Sequence, residues 1–200
     1  MVSSFKFRFP ISKRHEWYIA AFYSLACALL VNWAHRQEGV EHAIKLQQLL
    51  VTLWSGFVLA ISLMEAWVKF RAPLLRRHIA VDVGRHIFAC LNIVECILMT
   101  TIGILRVVAN TGVPIALFAT VSTILIFEIL VVTPTLDALA KFRITQALSG
   151  STAPAEVKYV SELKEELRAL CPAKPYWHFI YVALEIVKVL ILFAIISRMW

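Results

Sequence analysis

The sequence predicts an all-α integral membrane bundle of five transmembrane helices, a four-helix core plus an N-terminal span, with one cytoplasmic amphipathic helix. Three observations predict it. First, 60% of the 200 residues are hydrophobic and 16% are charged, against about 45–50% and about 25% in soluble domains. The mean hydropathy is +0.75. Second, the apolar residues gather into five segments, about 17–34, 47–70, 80–108, 113–136 and 176–198. Each can cross about 30 Å of hydrocarbon. Third, the basic residues between these segments fall mostly on one side of the membrane.

The elements follow in order along one membrane domain, 1–200. Lys6, Arg8, Lys13 and Arg14 precede the run Trp17–Trp33. That order would suit a signal peptide, but "LLVNWAHRQ" lacks a small-x-small cleavage site, so the run reads as an uncleaved first helix. The loops are "HRQEGVEHAIK", "RAPLLRRHI", "ANTGVP" and a long polar stretch after Lys141. In that stretch Thr152 and Pro154 predict a helix start. Val160, Leu163, Leu167 and Leu170 recur at helical spacing among Glu162, Glu165 and Glu166, so an amphipathic helix is expected over about 154–170. Five spans place fifteen Lys and Arg on one side and four on the other, with Lys188 inside the membrane. Basic residues collect in cytoplasmic loops. The N-terminus is therefore expected in the cytoplasm and the C-terminus on the opposite side.

Composition also excludes. The net charge of +7 belongs with those loops. No basic module interleaved with aromatics argues for nucleic acid as a partner. Cys27, Cys90, Cys96 and Cys171 form no CxxC pair and read as small core residues. Motifs for metals, phosphate loops and nucleophile elbows are absent, so no metal and no resident cofactor is expected.

The informative residues are the ionisable ones inside the spans. The last span, "YVALEIVKVLILFAIISRMW", holds Glu185 and Lys188 at its centre. A charge there costs roughly 2.5–3.5 kcal/mol on insertion scales. A helix turns about 100° per residue. On the third span Asn92 then lies about 20° from Arg85, Arg106 about 60° and Glu95 about 80° away, with Asp82 to the other side. His178, Tyr181, Glu185 and Lys188 share one stripe on the last span. The two stripes are expected to face each other, with Glu128 of the fourth span and Glu65 of the second nearby. The candidate polar core is therefore Glu65, Arg85, Asn92, Glu95, Glu128, Tyr181, Glu185 and Lys188. Lys188 lies about 18 Å from the start of its helix, too deep to snorkel easily to a surface. Glu95 is its first expected partner, Glu128 the second, and Glu185 the local alternative three residues away. Glu65 and Lys69, four residues apart, are expected to pair at the membrane boundary. Carboxylates outnumber bases in the spans, so one buried carboxylate is expected to hold a proton. His86 and His178, expected at one level on neighbouring helices, are the candidate ligands for haem.

The stretches "LWSGFVLAISLMEAWVKFRAP", "GRHIFACLN" and "VVTPTLDALAKF" carry a family likeness. Over residues 47–198 the chain resembles the small uncharacterised multi-pass membrane family of transmembrane-protein-205-like proteins. The resemblance implies a four-helix membrane bundle with no established chemistry. The N-terminal span is an addition to the shorter members. Three function classes stay open. One is a small transporter-like or accessory membrane protein, proton or ion linked. Another is a membrane-embedded redox or haem-binding enzyme. The third is a structural subunit of a membrane complex. The expected surroundings are the lipid bilayer, with a membrane-protein partner or a homo-oligomer also open.

Overall fold

The computed structural model describes residues 14–36, 40–110, 112–167 and 176–199. Among them the chain is all-α and forms six helices: α1 (Arg14–Arg36), α2 (Val40–Lys69), α3 (Arg77–Ala109), α4 (Ile115–Ala147), α5 (Pro154–Leu167) and α6 (Trp177–Met199). Four of them, α2, α3, α4 and α6, are long and apolar enough to cross a membrane. α1 carries a shorter apolar stretch, Trp17–Trp33. The basic residues Lys6, Arg8, Lys13, Arg168 and Lys174, together with Leu170 and Cys171, lie outside the described residues.

α2, α3, α4 and α6 form a closed ring in which each packs on the next. α1 lies outside against α3 and α2, and α5 packs on α4. The ring buries charge and shows hydrocarbon. Glu95, Glu128, Glu185 and Lys188 are fully buried, while Leu53, Ile104, Val107, Leu190 and Phe193 face outwards. A soluble bundle has the opposite polarity, so outward apolar faces on four spanning-length helices make this a multi-pass helical membrane protein. α1 follows the same rule. Trp17, Tyr18, Phe22, Leu25 and Leu29 are exposed, and the Tyr23 ring meets Phe57 of α2 edge-on at 5.9 Å.

The apolar core occupies one half of the ring. Leu50, Trp54 and Val58 of α2 pack with Leu98 and Ile102 of α3, Val121 and Leu125 of α4, and Leu192 and Ile195 of α6. The short turn from α3 to α4 closes this half. α3 ends on Asn110, whose φ of 49° is a left-handed helix stop. Gly112 follows at φ 95°. A side chain at that glycine would collide with Gln47, whose Oε1 accepts the Val113 N–H at 3.0 Å. Arg106 Nε donates to the Val113 carbonyl at 3.0 Å. At the same end the Gln48 side chain donates to the Met199 carbonyl.

Several boundaries differ from those the sequence predicts. α2 begins at Val40 rather than about 47, because the polar stretch continues the helix through a Glu41–Lys45 pair at 2.6 Å. α4 runs past 136 to Ala147. Pro134 does not end it, since a π-helical segment, Glu128–Val132, comes just before. A helical proline lacks an N–H and presses on the carbonyl four residues back. The wider turn, with the Thr133 N–H bonded to the Glu128 carbonyl, accommodates that. α2 has its own π-helical segment, Leu59–Glu65. α5 starts at Pro154 as expected, but its polar brace is Ser151 rather than Thr152. The Ser151 hydroxyl donates to Glu156 Oε2 at 2.5 Å and accepts the Ala153 N–H at 3.2 Å.

Candidate functional site

Lys188 stands at the centre of the ring with three carboxylates around its ammonium. Its Nζ lies 2.5 Å from Glu128 Oε2, 2.9 Å from Glu95 Oε1 and 3.1 Å from Glu185 Oε1. The sequence offered these three as alternatives, and the structure brings all of them in together. Trp54 Nε1 also donates to Glu95 Oε1 at 2.7 Å. All four helices of the ring therefore contribute: Trp54 from α2, Glu95 from α3, Glu128 from α4, and Glu185 with Lys188 from α6. One oxygen on each carboxylate (Glu95 Oε2, Glu128 Oε1 and Glu185 Oε2) is buried with no hydrogen-bond partner. The carboxylates offer oxygens within 4.8 Å of one another, a spacing that suits a cation. The lysine ammonium is the cation that touches all three.

On one side of this cluster lies the packed apolar half. On the other side polar pairs lead towards a cleft. Tyr181, one turn before Glu185 on α6, shares a hydrogen bond with Ser62 Oγ at 3.2 Å and stacks edge-on with Phe88. Ser62 belongs to the π-helical segment of α2, so that wider turn carries the Tyr181 contact. Asn92 Nδ2 donates to Thr133 Oγ1 at 2.9 Å, tying α3 to α4 beside its own π-helical segment. Such segments often mark functional sites. The cleft has a volume of about 590 Å³, and its wall includes Tyr181, His178, Phe88 and Lys69.

Arg85 corrects one expectation. It does not join Glu95 and Lys188 but anchors a second cluster at the cleft end of α3. Its Nε donates to Asp82 at 2.6 Å, Nη1 to Asp137 of α4 at 3.3 Å, and Nη2 to the Tyr159 hydroxyl of α5 at 2.7 Å. The Tyr159 hydroxyl in turn donates to Asp82 Oδ1 at 2.6 Å. Lys141 links Asp137, at 2.5 Å, to Glu166 of α5, at 2.7 Å. The stripe angle was right for Arg85, and the angle alone implied no depth beside Lys188. Arg85 sits seven residues before Asn92, about 10 Å nearer the helix start. Glu65 also stays outside the central cluster, pairing with Lys69 at 3.1 Å as the spacing predicts. His178 lines the cleft, whereas His86 is half-exposed with Nε2 4.0 Å from Asp82.

Sequence reasoning missed Trp54, Ser62, Thr133 and Tyr159. Trp54 carried a signal, because a tryptophan in mid-span rather than at a boundary has an N–H that must find a buried acceptor. The hydroxyl residues carried none, since mid-span Ser and Thr commonly bond their own helix, as Thr101 and Thr120 do here. Comparison of the chain with protein-family models, with curated proteins and with solved structures finds no match.

Proposed function

We propose that the protein is a small proton-linked membrane transporter in which the carboxylates around Lys188 take up and release the proton. One observation carries this reading: three buried carboxylates share a single ammonium, and each keeps an oxygen without a partner. Fully ionised, the group would hold two uncompensated negative charges away from water. Uncompensated buried charge is strongly destabilising. A proton on one carboxylate removes part of the excess and supplies a donor to an orphaned oxygen. Ionisable residues in such places mark proton relays in pumps and transporters. The asymmetry of the ring supports the same reading, with packed apolar side chains beyond the cluster and a cleft before it.

The accompanying topology has five spans, with α1 as the fifth, the N-terminus in the cytoplasm and the C-terminus opposite. Lys69, Arg77, Arg85 and Arg143 gather at the cleft end, which supports this end as the cytoplasmic one. The likeness to the transmembrane-protein-205-like proteins belongs to this reading through the stretches quoted above. Tags placed before Met1 and after Trp200 are expected to show opposite accessibility in sealed vesicles. Equal accessibility removes α1 from the spans.

The proton itself is tested by infrared difference spectroscopy of the purified protein at neutral pH. A protonated carboxylic acid carbonyl band, shifting in heavy water and altered in Glu128→Gln, is expected. In proteoliposomes the protein should dissipate an imposed pH gradient faster than Glu128→Gln does. A spectrum with ionised carboxylates only, and a gradient that decays as in empty vesicles, returns the cluster to a purely structural role.

A further inference from the structure

The cleft itself has a chemistry that the buried cluster does not explain. It lies between the end of α2, the first turns of α3, the cleft end of α4 and the start of α6. Its volume of about 590 Å³ falls within the usual range of small-molecule sites, about 300–1,000 Å³. The lining carries four cationic side chains, Lys69, Arg77, Arg85 and Arg143, and one carboxylate, Asp137. Asp137 is already held by Arg85 and Lys141, and Arg85 is saturated by Asp82, Asp137 and Tyr159. Arg77 and Arg143 form no ion pair among the described residues and are exposed. Lys69 is largely buried, with Glu65 on one side and the Phe88 ring 5.0 Å away on another. It reaches that place because residue 84 is glycine; a Cβ there would collide with the Lys69 ammonium. The remaining wall is mostly apolar, with Leu75, Ala80, Phe88 and Leu136 among its residues, and its other polar groups are Thr133, His178 and Tyr181.

We infer that this cleft binds an amphiphilic oxyanion, a phosphate or carboxylate group on an apolar body. The two free guanidiniums take the anionic group, since planar N–H forks match phosphate and carboxylate oxygens. The Lys69 ammonium adds charge from the cleft wall, and the apolar lining takes the body of the ligand. Two sources have this chemistry: the headgroup of an anionic lipid, which basic pockets between transmembrane helices bind, and a soluble organic anion. The inference goes beyond the proton-linked reading and does not depend on it, because binding is measured without a gradient.

The experiment uses the full chain in nanodiscs of phosphatidylcholine, titrated calorimetrically with dioctanoyl phosphatidic acid, phenyl phosphate and uncharged dioctanoylglycerol. Saturable binding of at least one of the two anions, and none of the uncharged lipid, is expected. Arg77→Gln with Arg143→Gln should weaken that binding by about tenfold or more, as loss of charge-assisted hydrogen bonds predicts. Lys45→Gln, at an exposed pair on α2, should leave it unchanged. Both arginines are exposed, so the double variant is expected to keep the wild-type melting temperature. Binding of phosphatidic acid alone identifies a lipid headgroup site, and binding of phenyl phosphate alone or of both identifies a site open to soluble anions. Binding of neither anion overturns the inference, as does anion binding that is indifferent to the two arginines.

Discussion

Lys188→Met is expected to be the most damaging single substitution in this chain. It removes the one cation among three fully buried carboxylates. Breaking a buried pair from one side costs roughly 3–5 kcal/mol. The purified variant should lose a large part of its thermal stability in detergent, or fail to accumulate in the membrane. Adding Glu95→Gln should recover part of the loss, and adding Glu128→Gln as well should recover more, because each exchange removes an orphaned charge while keeping the shape. Equal melting temperatures for wild type and Lys188→Met would show that the ammonium contributes nothing to holding the four helices together. A loss that the carboxamide substitutions leave unchanged would assign the effect to the missing side-chain volume instead.

Arg85→Ala should have the second largest effect, and its effect should be local. Arg85 is 13% exposed and joins three helices through Asp82, Asp137 and Tyr159. Hydrogen bonds to charged groups contribute about 1.5–3 kcal/mol each when buried, and partial exposure reduces this. The variant should keep its four-helix ring but release α5, read as faster hydrogen exchange and proteolysis over Pro154–Leu167. The burial of Tyr159 and its bond to Asp82 predict a pH effect. Burial, then the bond to Asp82, raises the Tyr159 hydroxyl to about 12 from its ordinary 10.0. The folded protein therefore holds this proton more tightly than the unfolded chain. The stabilisation is complete below pH 10 and is lost as pH rises through about 12. Protection of α5 that is unchanged in Arg85→Ala would mean that the Lys141–Glu166 pair alone docks this helix.

How much of this was legible depended on the regularity of the helices. α3 and α6 are α-helical throughout, so 100° arithmetic and chain direction together placed Lys188 against Glu95. The same arithmetic put Arg85 on the correct face. It did not predict that Asp82, Asp137 and Tyr159 would hold it near the helix start, because Tyr159 comes from a helix outside the ring. Glu128 was expected only as the second partner of Lys188, and its Oε2 lies 2.5 Å from the ammonium, nearer than Glu95 Oε1 at 2.9 Å. It sits at the first residue of a π-helical segment, where rise and rotation per residue both depart from the regular helix. The partners of Tyr181 and Asn92 were hidden for a related reason. Ser62 lies within the other such segment and Thr133 at the end of this one.

The two π-helical segments also divide the ring mechanically. Helices bend most readily at π turns and at prolines. α3 and α6 have neither and run as uninterrupted α-helices. α2 and α4 each carry a joint, at Leu59–Glu65 and at Glu128–Val132 beside Pro134. The joints lie between the packed apolar half and the cleft. They leave Lys69 on one arm and Thr133, Asp137 and Arg143 on the other. The wall of the cleft therefore joins two regular helices to two arms that each carry a joint. The pivot of the α4 arm carries Glu128, so the backbone that would bend is the backbone that holds one of the three carboxylates on Lys188.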